Sequence, residues 1–339
     1  MQILVLGATG FIGGQIVRAA VAAGHEVRAF CRLQRQGWTL QGLPVARVIG
    51  DLESPASLVA AMDGCQAVIH AAGYYPSSLA PHGQHVERAR RQIHHVLDAA
   101  RQAGIRRLIY TGSISTIGPV RAGHLGSERD FYWPGQMAHS YWDCKWVQEQ
   151  AVLSAYEIET IVLIPGAVFG PGDVKPTTGM VLLAMARLGT WVTLTGRINV
   201  VDVRDVAQAH VAALTRGNPG ERYLLGGHNI MVQEFVATVA YVLGRPHPIV
   251  TLPIELVGWP LRLMANLAIW LGLPGSVSLA YLLEAVQAGQ WVDNTKAQQE
   301  LDFRPRSLTE TLVDAIAWFR EHGYFDRPLR NFMMNIGDR

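Results

Sequence analysis

Charged side chains are scarce in this chain. Asp, Glu, Lys and Arg make up 17% of its 339 residues, against about 25% in an average soluble protein. The 29 basic and 27 acidic residues leave a net charge of +2. That balance lacks the basic footprint of a nucleic-acid binder, so no nucleic-acid partner is expected. Cysteine is scarcer still: Cys31, Cys65 and Cys144 are the only three, with no CxxC spacing. A disulfide framework and a structural zinc site are both excluded by that pattern, no metal is expected, and a reducing, cytoplasmic setting fits. Long apolar runs are missing too. The longest, 252–273, is interrupted by Pro253, Glu255, Pro260 and Arg262, which leaves about 11 residues from Leu263, against roughly 20 for a bilayer span. The stretch is expected as a buried helix, and no integral membrane segment is expected. No secretory signal pattern opens the chain: residues 2–7 are a short apolar run closed by Gly7, without a basic region or cleavage site.

What the sequence has is apolar residues, 49% of the total, enough for a large core. Continuous apolar runs at 3–6, 26–30, 45–49, 67–71, 107–111 and 160–164 alternate with helical patterns at 12–23, 56–62, 86–103 and 141–156. Such alternation predicts an α/β fold with a doubly wound parallel sheet covered on both faces. Gly24, Gly64 and Gly104 follow helical segments, where a left-handed cap favours glycine. After Gly170 the rhythm changes. A loop, a helix at 179–188, a strand–helix pair at 199–203 and 205–214, and a strand at 222–225 lead to a mostly helical remainder ending in a helix at 308–322. The expected division is a discontinuous nucleotide-binding domain (1–170 and 197–228), a smaller, mostly helical C-terminal substrate domain (171–196 and 229–325), and an extension at 326–339.

Gly7-Ala8-Thr9-Gly10-Phe11-Ile12-Gly13 lies between the first strand and the first helix. Gly7 permits a tight turn, Gly10 close approach of a pyrophosphate, and Gly13 close helix–strand packing, while the helix N-terminus offers amide donors and a positive dipole end. This is the dinucleotide-binding loop of a Rossmann sheet, in GxxGxxG spacing. An NAD-selective site places a carboxylate about 20 residues further on, at the end of the second strand. Here that strand ends Ala29-Phe30-Cys31-Arg32, with Arg32 19 residues after Gly13 and Arg35 nearby. A guanidinium attracts a 2′-phosphate, so NADP(H) is favoured and NAD(H) left open; simple solvation of these arginines is the competing reading. Asp51 and Leu52 follow the third strand, toward the adenine edge. His70-Ala71-Ala72-Gly73 ends the fourth, where small residues let a dinucleotide cross the strand ends.

Tyr141 and Lys145 stand four residues apart on one helical face. A free phenol, with a pKa near 10, is a poor acid or base at neutral pH. A neighbouring ammonium favours its ionised form and can also hold a nicotinamide ribose. Ser113, just past the fifth strand, can orient the same substrate oxygen. Tyr74 and Tyr75 follow the fourth strand and are candidate substrate contacts.

Taken together, these motifs resemble the extended short-chain dehydrogenases/reductases, the NAD(P)-dependent epimerase/dehydratase superfamily. They are GATGFIG at Gly7, GDL at Gly50, HAAG at His70, Ser113, YxxxK at Tyr141, PGAVFGPGD at 165–173, VVDVRDVAQAH at 200–210 and GERYLLGG at 220–227. GDVKPT at 172–177 is similar to the dihydroflavonol-reductase-like and hopanoid-associated sugar-epimerase-like branch. The resemblance implies a Ser113–Tyr141–Lys145 site. It implies cofactor contacts from Gly7, Gly10, Phe11, Ile12, Gly13, Arg32, Asp51, Leu52, Ala71, Ala72 and Pro165, with Thr9 and Gly73 beside them. It also implies a small-molecule substrate and frequent homodimers. The expected activity is hydride transfer to an aldehyde or ketone, with a nucleoside-diphosphate-sugar epimerase as the alternative. Three departures count. The asparagine usual before the fifth strand is replaced by 89–93 (Ala-Arg-Arg-Gln-Ile). Where dehydratases carry Thr-Asp-Glu, this chain has Ser113-Ile114-Ser115, so dehydration is not expected. Arg197 is a shifted match to the arginine that grips a sugar diphosphate.

Other features read as structural. His82, His85, His94 and His95 are expected on a solvated basic face, Cys144 as a small packing residue against the sheet, and Asp205 as a helix N-cap. Trp133, Trp142 and Trp146 are expected as core or subunit contacts.

Overall fold

The computed structural model describes residues 1–32, 38–76, 80–118, 120, 123–188, 192–245, 249–271 and 283–326. Arg35 and the extension beyond Asp326 lie outside them. The first half alternates strands and helices, except that no α-helix separates β2 from β3 among the described residues: β1 (Gln2–Leu6), α1 (Phe11–Ala22), β2 (Glu26–Cys31), β3 (Ala46–Ile49), α2 (Pro55–Met62), β4 (Ala67–His70), α3 (His82–Gln102), β5 (Arg107–Thr111), α4 (Tyr141–Leu153) and β6 (Glu159–Pro165). Then follow β7 (Ala167–Phe169), α5 (Gly179–Leu188), β8 (Val192–Leu194), β9 (Arg197–Asp202), α6 (Val203–Ala212), β10 (Glu221–Leu225), β11 (His228–Met231), α7 (Val232–Val242), β12 (Val250–Leu252) and α8 (Ile254–Trp270). Helices Thr295–Leu301 and Leu308–Glu321 close the described chain.

Seven strands form one parallel sheet in the order β10-β6-β5-β4-β1-β2-β3. The central strands β1 and β4 are almost wholly apolar because both faces are covered, whereas the edge strand β3 is largely exposed. Ile3 and Val5 point into a core shared with α1 and α6, Leu4 and Leu6 into one shared with α2 and α3. The order reverses between β1 and β4, and that reversal opens a crevice at their C-terminal ends, where ligands of such sheets bind. The doubly wound expectation is met. Two small sheets, β11-β9-β7 and β12-β8, and a third apolar cluster around Phe169, Leu182, Phe235 and Phe319 lie beyond it.

Three expectations need correcting. The stretch read as a buried helix forms α8, yet Leu256, Trp259, Leu263, Met264 and Leu267 are exposed. Among its residues of described burial, Ile254, Gly258 and Ala265 are the buried ones. No helix of the described residues is long and apolar enough to cross a membrane. The N-cap of α6 is Asp202, which accepts from the Arg204 amide. Asp205 is instead buried and paired with Arg306 at 2.8 Å. Of the four histidines, His82 and His94 are exposed as expected, His95 is half-buried and His85 is buried. His85 is buried against the Tyr74 hydroxyl (2.7 Å), His82 pairs with Asp143 (2.9 Å), and His95 bonds the Leu52 carbonyl.

Candidate active site

The glycine loop meets the sheet where its order reverses. Gly7 has φ +84°, and a Cβ on it would stand 2.9 Å from the Ala71–Ala72 backbone. A Cβ on Gly13 would lie 2.0 Å from the Gly7 carbonyl oxygen. These two glycines bring β1, β4 and α1 together. At Gly10 a Cβ would meet only the Gly7 carbonyl within 4 Å, so the outer side of the loop is open. Helix α1 has no side-chain cap and no acidic residue in its first turn, which leaves its N-terminal amides at Phe11, Ile12 and Gly13 available to an anion. Thr9 sits in the same turn. Open space at Gly10 beside uncapped amides fits a dinucleotide diphosphate. The expected consequence of Gly13→Ala is a lower Tm together with at least a tenfold loss of NAD(P)H affinity. A thermal melt and a fluorescence titration check it.

Around the crevice, Arg32 is exposed at the end of β2. Asp51 is exposed after β3, its carboxylate accepting from the Glu53 amide, with Leu52 next to it. Glu53 anchors this turn to α3. Burial pushes its carboxyl up, but hydrogen bonds from Arg91, Gln92 and Arg88 outweigh that and hold it at about 2. Pro165 ends β6, paired with Leu225 of β10.

Helix α4 begins at Tyr141, and its phenol donates to the Ser113 hydroxyl at 3.2 Å. Ser113 caps a short 3-10 turn, Ile114–Thr116, and its hydroxyl accepts from the Ser115 amide, which fixes the side chain. Lys145 is buried one turn along, its ammonium 5.9 Å from the Tyr141 ring centre and 5.8 Å from that of Tyr110. The absence of a side chain at Gly73 makes room for it, since a Cβ there would lie 2.5 Å from the ammonium. Burial lowers the Lys145 pKa to about 8, partly offset by Cys144 and Glu149. His70, fully buried behind it, is pushed down to about 3 by burial and by Lys145. The sign of linkage follows. Between about 8 and the ordinary 10.5 the unfolded chain holds more protons at this residue, so its burial weakens the fold below pH 8 and weakens it less as pH rises through that window. Lys145→Met is therefore expected to raise the Tm of the ligand-free protein at pH 7. The gain should shrink toward pH 10 in melts recorded across that range.

The candidate contacts Tyr74 and Tyr75 diverge. Tyr75 packs against the Tyr141 ring with centroids 5.2 Å apart. Tyr74 turns away, bonded to His85 and lining a surface cleft with Arg88 and Arg91. Cys144 is buried against Ala89 of α3 rather than the sheet, and burial pushes its thiol up to about 12. Trp142 is buried and Trp133 exposed. Among the described residues no group of three His, Cys, Asp or Glu could hold a metal. Sequence reasoning missed Glu149, Thr116 and Arg222, a buried polar group behind Ser113. Continuing the four-residue step from Tyr141 and Lys145 to Glu149 was the available signal.

The family model of the NAD dependent epimerase/dehydratase family matches residues 3–226, and the chain belongs to that family. It is an NAD(P)-dependent enzyme of the oxidoreductase type, as the motifs led us to expect. It is similar to a Synechocystis sp. protein provisionally named dihydroflavonol 4-reductase, at 33% identity over 94% of this chain and 95% of that one. Sterol demethylase protein B of Methylococcus capsulatus is 28% identical over 95% of this chain and 99% of the relative. A solved nucleoside-diphosphate-sugar epimerase from Pseudomonas aeruginosa superposes with a TM-score of 0.80 at 31% identity, covering 96% of this chain and 99% of that one.

Proposed function

We propose that the protein is an NADPH-dependent carbonyl reductase acting on an apolar aldehyde or ketone. The observation that carries this reading is the 3.2 Å hydrogen bond between Tyr141 and Ser113, with the buried Lys145 ammonium beside the same phenol. The cofactor supplies the hydride when bound. Ser113 donates to the substrate oxygen and orients it. Tyr141 gives that oxygen its proton as the carbonyl carbon is reduced, and removes it in reverse. Lys145 favours release of the phenolic proton and offers donors to the nicotinamide ribose. Gly7, Thr9, Gly10, Phe11, Ile12 and Gly13 hold the diphosphate. Arg32 faces the 2′-phosphate, Asp51 and Leu52 the adenine, and Ala71, Ala72, Gly73 and Pro165 border the nicotinamide half. In this reading 171–196 and 229–325 form the substrate side of a discontinuous two-domain chain, which works in the cytoplasm as a homodimer.

An apolar substrate is supported by the relative named for sterol demethylation and by Tyr75 flanking the reacting phenol. The likeness to the Pseudomonas structure supports a second reading, a nucleoside-diphosphate-sugar epimerase. Against it, the guanidinium of Arg197 is stacked 4.9 Å from the Trp291 ring centre, occupying the residue matched to the diphosphate grip. Incubation with NADPH and panels of aldehydes, ketones and sugar nucleotides separates the two. Net NADPH oxidation by a carbonyl is expected. Sugar interconversion with no net oxidation would establish the epimerase instead.

A further inference from the structure

Behind the reacting pair lies a polar cluster that no motif pointed to. Tyr141, Lys145 and Glu149 follow one another at four-residue steps on α4, so the three share a face. Glu149 is fully buried. One carboxylate oxygen accepts from the Thr116 hydroxyl at 2.6 Å, and the other stands 2.9 Å from Nε of Arg222 on β10. Thr116 belongs to the turn that Ser113 caps, and its amide donates to the Ser113 carbonyl at 2.9 Å. Arg222, also buried, donates to the Thr116 carbonyl at 3.2 Å and to the Glu128 carbonyl at 2.9 Å, with its guanidinium 4.0 Å from the Phe131 ring centre. Gly112 admits the carboxylate beneath the turn, since a Cβ there would sit 3.3 Å from it. Through Thr116, which both Glu149 and Arg222 contact, this pair ties the helix that carries Tyr141 and strand β10 to the turn that carries Ser113.

A buried ion pair is a poor device for stability alone, because well-packed apolar replacements of both partners are often neutral or better. Burial pushes the Glu149 carboxyl up to about 7, against the pull of Arg222 and Thr116. What the pair does supply is geometry. We propose that Glu149 and Arg222, acting through Thr116, are positioning residues that hold the Ser113 hydroxyl at its distance from Tyr141. This rests on the reading of Ser113 and Tyr141 as the reacting pair.

The test uses the full chain with NADPH and the best carbonyl from the panel. Thr116→Val removes one hydroxyl at nearly constant shape. Glu149→Leu combined with Arg222→Met removes both charges, so neither is left buried and unpaired. Both variants are expected to lower kcat about tenfold or more, since a misplacement near 1 Å costs up to about a hundredfold. NADPH affinity is expected to stay within about twofold in both, and the Tm of the double variant within a few degrees of the parent. A crystal structure of the double variant is expected to show the Ser113–Tyr141 hydrogen bond lost. The parent kcat in both variants, with that hydrogen bond intact, overturns the proposal even if Tyr141→Phe is inactive. An active Tyr141→Phe variant overturns instead the reading on which it rests.

Discussion

Tyr141→Phe is expected to abolish turnover, lowering kcat by about a thousandfold, the usual scale for removing a positioned general acid, while leaving NADPH affinity within a few-fold of the parent. The argument is local. The phenolic oxygen makes the contact with Ser113 at 3.2 Å, and phenylalanine keeps the ring that packs against Tyr75 and stands beside Lys145. The dinucleotide anchors lie elsewhere, at the glycine loop and the strand ends. Steady-state kinetics and a fluorescence titration on the same preparation therefore separate chemistry from binding. Parent-like turnover in this variant would remove Tyr141 from the reaction.

The legible parts of this molecule are those whose physics is local. The glycine loop announces itself because the seven-residue motif from Gly7 to Gly13 runs from the end of the first strand into the first turn of the first helix. The clash built at Gly13, 2.0 Å from the Gly7 carbonyl, shows why no larger residue fits. Tyr141 and Lys145 could be paired because helical geometry alone puts residues four apart on one face. What escaped was decided by distant partners. Asp205 has the look of a cap, yet Arg306, 101 residues away, claims it, and Asp202 caps the helix in its place. Glu149 reads as an ordinary helix residue until β10 brings Arg222 against it across the fold. His85 sits on a helix rich in arginine, and its bond with the Tyr74 hydroxyl helps make its burial tolerable. In α8 composition misled: Leu256, Trp259, Leu263, Met264 and Leu267 are exposed despite being apolar. Strands β7, β9 and β11 depend on pairing with one another, including the antiparallel β9–β11 register, which no single segment encodes.

Arg32→Asp carries the second large expected effect. Its KM for NADPH is expected to rise about tenfold or more, while the KM for NADH changes little or falls. Arg32 directly follows β2 at the surface, on the side of the crevice where a ribose 2′ substituent would lie. A charge-assisted hydrogen bond is worth about 1.5–3 kcal/mol, or roughly 10- to 150-fold in affinity. An exposed site falls toward the lower end because solvent and salt screen it. Reversing the charge adds repulsion toward a phosphate and offers NADH the carboxylate that a 2′-hydroxyl favours, so the ratio of the two KM values moves further than either value alone. The effect should also diminish as salt rises, which a purely structural lesion at the strand end would not reproduce. Equal changes for both cofactors would mean that Arg32 does not read the 2′ position, and the preference for NADPH would then lose its physical basis.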